Sequence, residues 1–286
     1  MVDLDALGLP RLPEPLPAPT IDAHTHLDSV EERTGLSADD SLELARQVGI
    51  GWVIQAGDTA ADSAWGESLA RRHPQVVACV ALHPNEVARH PERYEAGFAT
   101  ISALAAAGPH VRAIGETGLD YYRITDADGQ ARQRQAFRRH IELACQLGKT
   151  LMIHDRDAHA DILAILDDSP TPPRVVMHAF SGDSDLAQEC TRRGYWLSFP
   201  GVTTYNANHH LHRALAVTPP DKLLVETDAP YLTPVPVRGR PNGPYLTPHT
   251  VRFMATQLGW DLAETCVRLR DNAFAAYGGP WGEDCL

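Results

Sequence analysis

Two histidines one residue apart, His24 and His26, end a short apolar run, Pro19-Thr20-Ile21-Asp22-Ala23-His24-Thr25-His26. On a β-strand such a pair points to one face, because side chains alternate with period 2. Two imidazoles on one face can share a divalent cation. Spacing alone is a weak signal, since 14 histidines in 286 residues give roughly 0.7 such pairs by chance. A second pair, His210 and His212, lies in 206–214, which reads as a loop entering a helix, where residues i and i+2 do not share a face. The first pair gains weight from what stands at the ends of other apolar runs. Val111–Glu116 ends on a carboxylate, Leu151–His154 and Val175–His178 each end on a histidine, and Leu223–Val225 leads into Glu226-Thr227-Asp228.

Six nitrogen and oxygen donors (His24, His26, Glu116, His154, His178 and Asp228) exceed the four ligands of one tetrahedral zinc and suit two adjacent divalent ions. With imidazole and carboxylate but no thiolate, the set is compatible with Zn, Mn or Mg. Glu116, entering midway along the series, is the natural carboxylate to bridge two ions. Glu116 and Asp228 are the expected catalytic groups, Asp228 accepting the proton of an attacking water.

Strands must carry these residues to a common rim. Eight short runs rich in apolar or β-branched residues qualify: 20–26, 51–57, 76–82, 111–116, 150–154, 174–178, 195–199 and 222–227. Amphipathic stretches alternate with them. Ser37-Ala38-Asp39-Asp40 opens one as a capping box, 130–147 stops at Gly148, and 161–166, 185–190, 247–258 and 262–277 follow. This alternation predicts an α/β fold, a single-domain (β/α)8 TIM barrel, with an open doubly wound sheet as runner-up. No Gly-rich nucleotide-binding loop follows any strand. In a barrel, all six donors fall at the C-terminal face, where such folds build their active sites.

Composition narrows the setting. Five scattered cysteines without a Cys-x-x-Cys pair argue against a disulfide framework or thiolate zinc site, and predict a reducing, cytoplasmic location. No apolar run reaches the ~18 residues of a membrane span. Residues 1–19 hold five prolines and no basic-then-apolar leader; they read as a flexible lead-in. A net charge of -12 counts against tight non-specific duplex binding. It leaves room for a phosphate bound at cations, which bring their own positive charge.

Five segments taken together resemble the signature blocks of the TatD family. They are Asp22–Asp28, Gly115–Tyr122, Ile153–Ala158, His178–Gly182 and Glu226–Leu232, in order within about 20–278. The family comprises metal-dependent hydrolases and DNases among the amidohydrolase-like barrels. The resemblance implies two divalent cations, with His24, His26 and Asp228 on one, His154 and His178 on the other, and Glu116 between them. It implies a barrel over 20–278, flanked by the lead-in 1–19 and a tail 279–286. Two departures stand out. The family often has His-Pro-His where this chain has His83-Pro84-Asn85, and Asn-Glu-Pro where it has Asn242-Gly243-Pro244. Both are expected in substrate-side loops.

The function expected is hydrolysis of a phosphodiester by activated water, on DNA (single strands or ends) or a small diester, with His83 and Arg156 as phosphate contacts. The same rim could serve a C–N or ester bond, including an aminoacyl-tRNA ester. A non-catalytic metal scaffold is the distant alternative, since structural zinc sites are usually closed four-ligand sets.

Overall fold

The apolar runs become eight parallel strands in a computed structural model that describes residues 2–282. They are β1 (Thr20–Thr25), β2 (Ile50–Ala56), β3 (Val76–Val80), β4 (Val111–Asp120), β5 (Thr150–Arg156), β6 (Val175–Met177), β7 (Trp196–Phe199) and β8 (Leu223–Val225). Neighbours pair in chain order, and a bridge between Thr25 and Ala229 brings the end of the sheet back to β1. Helices connect the strands on the outside, giving the single (β/α)8 barrel expected from the alternation. Asp22 helps close the β8–β1 seam, its carboxyl accepting from Thr227 N at 2.8 Å and Thr227 Oγ1 at 2.6 Å.

Two apolar layers hold the barrel together. Ile21, Ala23, Ile54, Val77, Ala113, Met152, Val176 and Leu224 form one cluster, with Tyr277 and Trp281 packed against it from the C-terminal end of the chain. Val53, Ala78, Val80, Ile114, Ile153 and Val225 belong to the larger cluster shared with the helices, and the strand residues of both clusters are almost wholly buried. Strands buried on both faces explain why the runs read as continuous rather than alternating.

The helix signals place their elements well. Ser37 Oγ accepts from Asp40 N at 3.1 Å and starts helix Ala38–Gln47. Helix Ala127–Leu147 starts three residues before the expected 130, at an Asp126 cap, and ends at Gly148 with φ +63°. The pair His210 and His212 sits on helix His209–Val217, as its neighbourhood suggested, and His212 Nε2 bonds the Thr203 carbonyl at 2.9 Å.

The two ends of the chain differ from expectation. Residues 2–19 are a packed strap rather than a loose lead-in: Leu9 and Leu16 are buried. Leu16 N donates to Val48 O, Tyr245 Oη to Pro10 O, and the Arg252 guanidinium to Glu14 O. In the expected tail 279–286, Trp281 is buried and its carbonyl accepts from Trp52 Nε1 at 2.7 Å; 283–286 lie outside the described residues. No helix among the described residues is long and apolar enough to cross a membrane.

Candidate metal centre

The strand ends converge on one cavity of about 830 Å³ at the barrel mouth, lined by His26, Glu116, His154, His178 and Asp228 among others. Two irregularities aim the donors. Between Asp22 and Thr25, β1 takes one residue more than β2 takes from Val53 to Gln55. Between Ile114 and Thr117, β4 likewise takes one more than β5 takes from Leu151 to Ile153. Such bulges bend a strand and redirect side chains; here they flank His24 and Glu116. Glu116 is therefore not the end of its strand, since β4 runs on to Asp120. Gly118 makes this approach feasible: at φ +144°, a Cβ would stand 2.0 Å from the His154 carbonyl oxygen.

Glu116 lies at the centre, and its two oxygens face different histidines. Oε2 is 3.5 Å from His24 Nε2 and 3.6 Å from His26 Nε2. Oε1 is 2.9 Å from His178 Nε2, in contact with His154 Nδ1, and 3.4 Å from His83 Nε2. Asp228 Oδ1 is 3.4 Å from His24 Nε2 and 3.5 Å from His26 Nε2, which are themselves 3.0 Å apart. A tetrahedral ion with bonds of about 2.0–2.1 Å needs ligand–ligand edges of about 3.3–3.4 Å. Five separations among these four donors, 3.0–3.6 Å, bracket that size.

The outward nitrogens fit the same purpose, because a metal-binding histidine usually gives its second nitrogen to an acceptor. His178 Nδ1 meets Glu226 Oε1 at 3.1 Å, an oxygen that also accepts from Ala179 N. His154 Nε2 meets Asp120 Oδ2 at 3.3 Å, and His24 Nδ1 meets the Met152 thioether at 3.0 Å. His26 Nδ1 faces Asp58 Oδ1 at 3.9 Å, and that buried oxygen has no hydrogen-bond partner. The residues present thus fit divalent cations.

The clustered carboxylates and imidazoles shift one another's protonation. Burial opposes ionisation of Glu116, yet the surrounding His178, His83 and His154 hold its carboxyl well below the usual range. Burial likewise opposes charging His26, but Asp58, Asp228 and Glu116 raise it to about 10. His154 rises to about 9 against its burial, drawn by Glu116 and Asp120. His24 is lowered, first by burial and then by the neighbouring His178.

All six expected donors are thus brought together. His83 sits deeper than a rim contact, against Glu116, with its ring edge-on to His154 at 4.5 Å. Its Nδ1 accepts from Asn85 N at 3.1 Å, so in the neutral ring Nε2 carries the proton and presents it to the centre. Arg156 is exposed at the mouth. Of the two departures, Asn85 turns inward, its Nδ2 donating to Asp120 Oδ2; Gly243 N donates to Oδ1 of Asn242, a residue that matches the family pattern and whose Nδ2 donates to the carbonyls of Thr227 and Tyr231 around Asp228. Sequence reading missed Asp58, Asp120 and Met152 and gave Glu226 no role. Asp58 follows the end of β2 at the same rim, and Asp120 follows Glu116 by four on one strand, so strand-end position and period 2 would have found both.

Comparison with known proteins identifies the family. The family model for TatD-related DNase matches residues 21–278. An uncharacterized metal-dependent hydrolase, TatD, of Mycobacterium tuberculosis is 39% identical over 264 residues, covering 91% of this chain and 98% of that protein. A 3'-5' ssDNA/RNA exonuclease TatD of Pantoea vagans is 34% identical, covering 81% and 90%. The crystal structure of YjjV, a TatD homologue from Escherichia coli, superposes with a TM-score of 0.81 at 26% identity, covering 91% of this chain and 98% of that one. With its sequence matched from β1 to the last helix, the chain belongs to the TatD-related DNase family.

Proposed function

We propose that this metal-dependent hydrolase cleaves phosphodiester bonds with two divalent cations. The observation that carries the reading is Glu116, whose two oxygens face separate sets of histidines. His24, His26 and Asp228 would hold one cation, His154 and His178 the other, and Glu116 both. Zn, Mn or Mg suits the donors. When bound, such ions lower the pKa of water and neutralise charge on phosphoryl oxygens. The mouth supports a phosphate substrate, since Arg33, Arg89, Arg123 and Arg156 line it and none has a carboxylate partner among the described residues. The exonuclease name of the Pantoea relative points the same way.

This chain's residues then divide the proton work. Water oxygen forms the new bond to phosphorus while the bond to the leaving oxygen breaks. The water proton passes to the Asp228 carboxylate, which lies within the donor cluster. The leaving alkoxide needs a proton, and His83 Nε2–H is the donor facing the centre. Burial of Glu116, His24 and His178 keeps bulk solvent from competing for their lone pairs.

The test is to strip the protein of metal, reload it with Zn, Mn or Mg singly, and assay bis-p-nitrophenyl phosphate, a single-stranded oligonucleotide, and amide and ester panels. Wild type should cleave diesters with about two ions per chain. Glu116→Gln should lose at least about 100-fold in kcat and bind no more than one ion. Full activity in Glu116→Gln, or turnover of amides or esters without diester cleavage, would overturn the reading.

A further inference from the structure

Two arginine–tyrosine pairs stand at opposite sides of the barrel mouth, and both lie within a few residues of the candidate ligands. Arg33, on helix Leu27–Thr34 after β1, lies over the Tyr231 ring at 4.5 Å and donates to its hydroxyl at 2.6 Å. Tyr231 follows Asp228 by three residues, and its ring meets that of His26 at 6.3 Å. Arg156, two residues past His154 at the end of β5, lies over the Tyr122 ring at 4.3 Å. Tyr122 stands two residues past Asp120, the partner of His154. In an eight-strand barrel, the β8/β1 junction and the β4/β5 junction are half a turn apart. The metal centre therefore lies between the two pairs.

Neither pair is a structural requirement of the fold. Tyr122 is 60% exposed and Tyr231 39%, and both arginines are exposed residues. Arginine covers part of each ring; Arg33, Tyr231 and Arg156 line the cavity, and Tyr122 stands exposed beside Arg156 just outside that lining, so each pair offers a flat cation and a flat π-face at the mouth. That combination suits a nucleobase, which stacks on aromatic rings and guanidinium planes alike, beside a phosphate that the same guanidinium attracts. In a duplex the bases are already stacked on each other, so platforms of this kind select unpaired strands.

We infer that Arg33/Tyr231 and Arg156/Tyr122 are two base-stacking platforms that hold a single-stranded nucleic acid across the metal centre, one on each side of the phosphate to be cut. The inference rests on the phosphodiesterase reading and adds the residues that would hold the strand. Recognition is through the π-face, so DNA and RNA strands are both accepted and the base sequence matters little.

The test measures anisotropy of labelled phosphorothioate octamers on the metal-loaded protein: octathymidylate, octauridylate, and an abasic octamer with the same phosphates but no bases. Wild type should bind both base-bearing octamers more tightly than the abasic one. Tyr122→Ala and Tyr231→Ala should each weaken the base-bearing octamers at least about fivefold and leave the abasic one unaffected, with Trp at either position restoring affinity. Melting temperatures confirm that the variants fold. Unchanged affinity in the alanine variants, or equal loss on the abasic octamer, would overturn the platforms. Wild-type hydrolysis of bis-p-nitrophenyl phosphate separates the two claims. If it is hydrolysed and the bases contribute nothing to binding, the platforms fall alone; if no diester is cut, the underlying reading falls, and the octamer comparison still decides the platforms.

Discussion

Acidification from pH 7.5 to pH 4 should weaken the fold through His140, and the cost follows from that residue's two hydrogen bonds. His140 is wholly buried; its Nδ1 donates to Ala136 O at 2.8 Å, and its Nε2 accepts from Leu82 N at 3.2 Å. A protonated ring could not accept the Leu82 N–H. Burial above all lowers the pKa from 6.5 to about 4. The folded pKa lies below the unfolded one, so between those values the unfolded chain takes up the proton and the folded chain does not. The contribution is therefore intact above about pH 7 and is lost as pH falls to 4. A displacement of about 2.5 units at 1.36 kcal/mol each amounts to about 3 kcal/mol. Other groups titrate in the same window, so the comparison needs a partner variant. His140→Gln keeps an acceptor near the Nε2 position and cannot be protonated. Urea unfolding of both chelated proteins across the range should show wild type losing about 3 kcal/mol more than the variant. Parallel pH curves for the two proteins would refute the reasoning. The consequence reaches the site, because Leu82 precedes His83 and the bond from Leu82 N fixes where β3 delivers that ring.

Three further outcomes follow from contacts elsewhere in the structure. Glu226→Gln retains an oxygen for His178 Nδ1 and Ala179 N but removes the charge behind His178. It should weaken metal binding about tenfold in a chelator competition. Met152→Leu removes only a weakly accepting thioether from His24 and should change affinity by less than about threefold; the reverse order would refute the idea that the outer acceptor tunes the ligand. Leu9→Ala should cost about 2 kcal/mol in the strap, while exposed Leu12→Ala stays within about 0.5 kcal/mol. Equal melting temperatures for those two variants would show that the strap adds nothing.

Much of this molecule is legible in the chain because the barrel couples two periodicities. A strand buried on both faces reads as an apolar run, and the residue that ends the run stands at the rim where donors meet. His24, His154, His178 and Asp228 could be found that way. Glu116 was found for an incomplete reason, because its strand continues to Asp120 and an extra residue turns the carboxylate inward. A bulge changes register without changing composition, so no local pattern announces it. The N-terminal strap misled for a different reason. Proline density suggests looseness, but proline keeps its carbonyl, and those of Pro10 and Pro15 accept from Tyr245 and Arg252. Leu9 and Leu16 supply the apolar anchors.

The two departures from the family pattern, Asn85 and Gly243, stand beside groups that orient candidate ligands. Asn85 lines the cavity, as a substrate-side loop residue should, and also directs its amide to Asp120, the carboxylate that faces His154, while its backbone N–H fixes the tautomer of His83. Gly243 N donates to Oδ1 of Asn242, which is common to the family pattern and ties together the carbonyls of Thr227 and Tyr231. Between them Asp228 is held at φ +52°, a left-handed conformation that a non-glycine residue adopts only when its surroundings demand it. A change at either asparagine therefore acts first on the orientation of a candidate ligand and through it on the substrate. Tyr231 meets both roles at once, since its carbonyl anchors the Asp228 turn while its ring lies in the mouth under Arg33. One short loop thus links how the metal centre is built to what can approach it.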